Sequence, residues 1–178
     1  MKKGISAAWL QRSTLHYIQR YPASVQRVRQ VMVRRIERKL KEHEGNRSVL
    51  LEQLDELLED LQRRGHLNDL RQAALWLDAW HRKGLSARGL RAKLAQKGVS
   101  SPVVAQAMQE FFDQWQEDGA VDPEYEAAEN YARRRRLGPY RRDQSQRGER
   151  RQRDLAALAR QGFSYLIAKK VIDGDHGV

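Results

Sequence analysis

The chain has 178 residues, a formal net charge of +11 and 40 % hydrophobic residues, so it supports small cores and attracts polyanions by charge alone. Lack of cysteine excludes disulfides and thiolate metal ligands, and dominance of Ala, Leu, Arg, Gln and Glu over β-branched residues excludes a sheet-based fold. No run of about eighteen apolar residues could cross a membrane, and nothing after Met1-Lys2-Lys3-Gly4 is apolar for long enough to be a signal peptide, so a soluble cytoplasmic protein is expected.

A first helix is predicted from Ala7 to Arg20, closed by Tyr21-Pro22-Ala23, because proline disfavours helix in the residue before it. Ser24 caps a second, with Val28, Val31, Met32, Ile36 and Leu40 as one apolar stripe on a basic cylinder that runs to about His43 and ends at Gly45-Asn46. Ser48 is the expected cap of a third, with leucines at 50, 51, 54, 57, 58 and 61 and a stop at Gly65. Asn68-Asp69 opens a fourth through Leu75, Trp76, Ala79 and Trp80 to a break at Lys83-Gly84; Ser86 opens a short fifth that stops at Gly98. Ser100 or Ser101 caps the sixth, with Pro102 in the first turn, where its missing N–H costs nothing, Met108, Phe111, Phe112 and Trp115 inward, and Asp118-Gly119 at its end. Asp122-Pro123-Glu124 starts the seventh, which runs into Arg133–Arg136 and breaks at Leu137-Gly138-Pro139-Tyr140. After polar residues 141–149, helices over 150–161 and from Ser164 to Ile172 complete nine, with Gly174–Val178 fraying.

One segment occurs twice. Leu94-Ala95-Gln96-Lys97-Gly98-Val99-Ser100 returns sixty-four residues later as Leu158-Ala159-Arg160-Gln161-Gly162-Phe163-Ser164. Val103, Ala107 and Met108 find Ile167, Val171 and Ile172 at the same offset, so one apolar register runs through both copies. Charge follows the same phase. Residues 1–43 hold eleven Lys/Arg against two Asp/Glu, 44–67 three against six, 68–98 seven against two, 99–131 none against eight, and 132–160 eleven against three. The expectation is an all-α, elongated array of three tandem three-helix units, 1–67, 68–120 and 121–178, a shape suited to binding.

Ser86, Leu90, Lys93, Leu94, Lys97 and Gly98, preceded by Leu67-Asn68-Asp69-Leu70-Arg71-Gln72-Ala73 and followed by Tyr131-Ala132-Arg133-Arg134-Arg135-Arg136-Leu137-Gly138-Pro139 and Gln161-Gly162-Phe163-Ser164-Tyr165, form an ordered set that resembles the RecX family of regulators of the RecA recombinase. The resemblance spans residues 7–173, with Asn68, Gln72 and Ile36 departing from its usual pattern. It implies a partner, the RecA–DNA nucleoprotein filament, whose growth, ATP hydrolysis and strand exchange the family restrains in DNA repair and the SOS response. A monomer without cofactor or catalytic residues is expected.

The residues themselves offer no enzyme chemistry. Gly84 and Gly89 bracket a serine cap without the Lys-Ser/Thr pair of a phosphate loop. His16, His43, His66, His81 and His176 lack metal-ligand spacing and read as surface or capping residues. Glu52, Asp55, Glu56, Glu59 and Asp60 could gather on one helix face but read as a solvated one, and Trp76, Trp80, Phe111, Phe112 and Trp115 read as core. What remains is basic surface. Arg82, Lys83, Arg88, Arg91, Lys93 and Lys97, with Arg133, Arg134, Arg135, Arg136, Arg141 and Arg142, are the candidate contacts to DNA phosphates, single-stranded or duplex, or to an acidic protein surface; Arg147, Arg150, Arg151 and Arg153 extend the same basic surface. A free-standing helix-turn-helix DNA-binding protein is the alternative.

Overall fold

The computed structural model describes residues 5–117 and 122–174. They form nine α-helices and no strand: α1 Ala7–Arg20, α2 Val25–Leu40, α3 Arg47–Arg63, α4 Asp69–His81, α5 Ala87–Gln96, α6 Ser101–Glu117, α7 Pro123–Arg135, α8 Arg147–Arg160 and α9 Tyr165–Asp173. The expected close of α6 at Asp118-Gly119, His176 and the tail after Gly174 lie outside the described residues.

Helix ends follow capping chemistry. Ser6, Ser24, Asp122 and Ser164 accept backbone N–H groups at the starts of α1, α2, α7 and α9. Three ends differ from expectation. Asn46, not Ser48, caps α3, because its Oδ1 reaches the Ser48 N–H at 3.0 Å and places Ser48 inside the first turn. The regular helix of α2 stops at Leu40, before the Gly45-Asn46 break. α8 begins at Arg147, three residues before 150, since Asp143 caps a short 3-10 turn over Gln144–Gln146 that feeds directly into it.

The chain divides into two compact bodies, one of residues up to Gln72 with Gln96–Val103, the other of Ala73–Ala95 with the residues from Val104 onward. In the first, the stripes of α1, α2 and α3 bury Leu10, Val28, Met32, Ile36, Leu50, Leu54, Leu58 and Leu61 in one core, closed by Leu67. Arg29 holds Asp55 through two parallel bonds of 2.7 and 2.9 Å, so basic α2 pairs with acidic α3. That guanidinium keeps the Asp55 carboxyl below its ordinary value by hydrogen bonding, and it accounts for one of the clustered carboxylates; Asp60 pairs with Arg64 at 2.8 Å.

In the second body, α7, α8 and α9 share a core of Ala127, Ala128, Tyr131, Ala132, Leu155, Leu158, Phe163, Ala168, Val171 and Ile172. The small residues of α7 permit close approach. A Cβ at Gly84 would lie 2.5 Å from the Tyr131 backbone N, so the α4–α5 turn rests directly on the α7 backbone. Of the two readings offered for the histidines, surface or capping, His81 does not fit the first, because it is buried. Its Nε2 lies 2.7 Å from the Pro123 carbonyl at the start of α7, and its ring packs on Phe111 and Trp115. Trp80 and Phe111 are core residues as expected, with Trp76 stacked on Trp80 at 5.7 Å.

Candidate nucleic-acid and partner interface

The repeated segment performs one task twice. In the first body the buried hydroxyl of Ser24 accepts the Arg27 N–H to cap α2 and donates to the Lys97 carbonyl at 2.6 Å. The neighbouring Val25 N–H donates to Asp69 Oδ1 at 2.9 Å. In the second body Ser86 accepts the Gly89 N–H, donates to the Gln161 carbonyl at 2.6 Å, and the Ala87 N–H donates to Glu124 Oε2 at 2.9 Å. Each joint thus combines a capping serine, a carboxylate from the start of another helix and the carbonyl just before a glycine.

Gly98 and Gly162 have φ of +82° and +95°, and a Cβ on either would fall within about 3.1 Å of the serine hydroxyl it meets, so only glycine fits. Burial holds the Asp69 and Glu124 carboxyls above their ordinary values, which their single backbone donors only partly offset. Ile36 is fully buried in the α1–α3 core, which accounts for its departure from the Gly98 pattern.

On the second body, the end of α7 and one face of α8 enclose a cleft of about 820 Å³. Arg134, Arg135 and Arg136 line it from α7 and its cap, Arg141 from the connector, and Arg150, Arg153 and Arg160 from α8. Asp154, 1 % exposed, is its carboxylate, and that group is already engaged. Arg141 Nε and Nη2 both bond it, and the Gly138 N–H donates to it at 2.8 Å. Arg134, Arg135, Arg136, Arg153 and Arg160 form no ion pair among the described residues, and Arg150 reaches only the exposed Glu149 at 3.8 Å. Unneutralised guanidinium groups so placed repel one another until an anion joins them.

The sequence-expected contacts divide among several settings. Arg134, Arg135 and Arg136 converge on the cleft with Arg141, which is held by Asp154. Arg133 points elsewhere, pairing with Glu129 at 3.2 Å and lying over the Tyr140 ring at 5.1 Å; burial and the Glu129 acceptor push that phenol up to about 12. Arg142 is exposed outside the cleft lining. Arg82, Lys83, Arg88, Arg91 and Lys97 are exposed, and Lys93 lies over the Trp80 ring at 4.7 Å. Arg88 is brought beside the cleft, because its stem lies against Gly162, next to the lining residue Gln161. Sequence reasoning names Arg150 and Arg153 only as an extension of the basic surface and misses Arg160. Their spacing of three and seven residues along α8 is the signal that places all three on one face.

Comparison with known proteins identifies the scaffold. A family model for the second three-helix domain of RecX matches residues 68–108, which covers α4, α5 and the start of α6. A regulatory protein RecX from Myxococcus xanthus is 39 % identical over 171 residues, 96 % of this chain and 88 % of its own length. The chain belongs to the RecX family. Regulatory RecX proteins of Agrobacterium fabrum and Amycolatopsis mediterranei are 36 % and 39 % identical over 106 and 120 residues, the shorter match covering 60 % of this chain. No solved structure matches. The RecX domain model spans Arg82 to Lys97 and includes Ser86 but not its joint partners Glu124 and Gln161, and the arginine cleft also lies beyond it, within the region aligned with the Myxococcus relative over most of the chain. No helix among the described residues is long and apolar enough to cross a membrane.

Proposed function

We propose that this RecX family member binds the RecA–DNA nucleoprotein filament in the cytoplasm and restrains recombinase activity during DNA repair and the SOS response, acting as a monomer by binding and not by catalysis. The observation that carries the reading is the concentration of unneutralised arginine on one face of a helical regulator of this family. A filament is a composite of phosphate and protein surface. Several weak contacts made by one chain gain affinity there through effective concentration. We assign the contacts to Arg82, Lys83, Arg88, Arg91, Lys93 and Lys97 in a unit 68–120, and to Arg133–Arg136, Arg141 and Arg142 in a unit 121–178, with residues 1–67 as the first unit.

Binding to preassembled recombinase filament, naked single-stranded DNA and naked duplex at equal salt tests this. Tighter binding to filament, with DNA-dependent ATP hydrolysis lowered by substoichiometric chain, is expected. Equal or tighter binding to naked duplex with hydrolysis unchanged would instead identify a free-standing DNA-binding protein.

A further inference from the structure

The α7–α8 cleft carries one unusual backbone feature. Arg136 has φ 57° and ψ 52°, and among the described residues it is the sole non-glycine with positive φ. It occupies the C-terminal cap of α7, where glycine serves without strain, as Gly174 does for α9. An arginine held there costs stability, and its side chain forms no ion pair among the described residues; it lines the cleft. Strain of this kind persists where the side chain has work to do.

The lining also indicates the kind of anion. Apart from Tyr131, Leu137 and Ala157 the surface is guanidinium, amide and one occupied carboxylate, and Tyr131 is only 8 % exposed. It lacks an exposed aromatic or aliphatic anchor, the feature on which tight protein interfaces depend. Nor does it offer a ring on which an unpaired base could stack. Forked donors at several points of an open cleft match successive phosphates along a backbone.

We propose that the α7–α8 cleft is a phosphodiester-backbone site that holds duplex DNA without reading its bases, with Arg136, Arg153 and Arg160 as its principal contacts and Arg141, locked to Asp154, as the residue that positions its wall. This rests on the filament reading only in taking DNA as the polyanion. It assigns the cleft to DNA and leaves the recombinase protein to other surfaces.

The test uses the full chain with a short duplex of random sequence, the matching single strand and a polyglutamate of equal charge. Arg153→Gln with Arg160→Gln should weaken duplex binding and lower the slope of log affinity against log salt by about two units, about 0.9 for each phosphate that is no longer neutralised. Arg136→Gly should weaken duplex binding as well while raising Tm by about 2–4 °C, since glycine relieves the left-handed strain. Loss of binding together with gain of stability is a signature that a merely structural arginine would not give. Unchanged duplex affinity in both variants would overturn the proposal, as would polyglutamate displacing duplex as effectively as unlabelled duplex does, which would turn the cleft into an acidic-protein site. Preference for the single strand would overturn the duplex assignment. Failure of the filament reading is separable: ATP hydrolysis by the recombinase would then be unaffected by the wild-type chain while duplex binding still depended on the cleft.

Discussion

Ser86 donates its hydroxyl hydrogen to the Gln161 carbonyl at 2.6 Å while accepting the Gly89 N–H at 3.1 Å, so one buried side chain both caps α5 and fastens the α8–α9 turn. Removing it strands two backbone groups at once. Ser86→Ala should cost about 2–4 kcal/mol in urea denaturation, the sum of a lost cap and a carbonyl left without its donor. Ser164→Ala, at an exposed cap whose hydroxyl accepts only the Ile167 N–H, should cost about 1 kcal/mol. Equal losses would show that the second bond of Ser86 contributes nothing.

Gly84 and Gly65 share nearly the same left-handed backbone, with φ of +77° and +75°, but not the same surroundings. A Cβ at Gly65 meets nothing within 4 Å, whereas one at Gly84 meets the Tyr131 backbone N at 2.5 Å and its Cα at 2.7 Å. Gly65→Ala should therefore show only the conformational cost, about 1 kcal/mol. Gly84→Ala adds a clash with helix backbone that cannot rotate away, for a total of about 3 kcal/mol or more by thermal denaturation. A Gly84→Ala protein as stable as Gly65→Ala would refute the close packing of this turn on α7.

Arg141 and Asp154 form a buried ion pair in the wall of the cleft. Arg141→Ala leaves Asp154 buried with the Gly138 N–H as its remaining donor, an arrangement that should destabilise the chain by about 3–5 kcal/mol. Far-UV circular dichroism during a denaturant titration measures it. Loss of less than about 1 kcal/mol would mean that water reaches the carboxylate.

Arg151 holds Asp173 through two bonds of 2.7 and 2.8 Å, joining α8 to the end of α9, and hydrogen bonding keeps that carboxyl below its ordinary value. Its folded value lies under the unfolded value of about 3.9, so the pair stabilises above that pH and the contribution vanishes as pH falls through the folded value. The stability difference between wild type and Asp173→Asn should be constant near neutrality and close below about pH 4. A difference that persists at lower pH would place its origin in packing.

Glu124 has the opposite sign. Burial raises its carboxyl, so its folded value exceeds the unfolded value of about 4.3 and protonation favours the folded chain. Its contribution is fully present below the unfolded value and is lost as pH rises through the folded one. Wild type should gain stability relative to Glu124→Gln as pH is lowered from neutrality towards about 4, a trend followed by thermal unfolding at stepped pH. A gap that widens in the other direction would contradict the desolvated environment.

Local chemistry decided the helices, and it was readable in the chain. Apolar spacing of three and four fixed the inner faces of α2 and α3, serine and Asp-Pro caps fixed the starts of α2, α5, α7 and α9, and the doubled Gln/Arg-Lys/Gln-Gly segment announced a repeated element, because each of these depends on residues within a few positions of one another. The basic character of residues 132–160 was equally evident. Tertiary structure alone decided what the repeat is for: Ser24 meets Lys97 and Ser86 meets Gln161 across 73 and 75 residues, a distance at which no periodicity operates. It also sorted the arginines. Arg133 turned to Glu129 and Tyr140 and Arg141 to Asp154, while Arg153 and Arg160 came round from α8 to join Arg134–Arg136. A charge in a sequence has a sign but no direction, and its freedom to meet a ligand depends on whether folding supplies a carboxylate nearer than solvent.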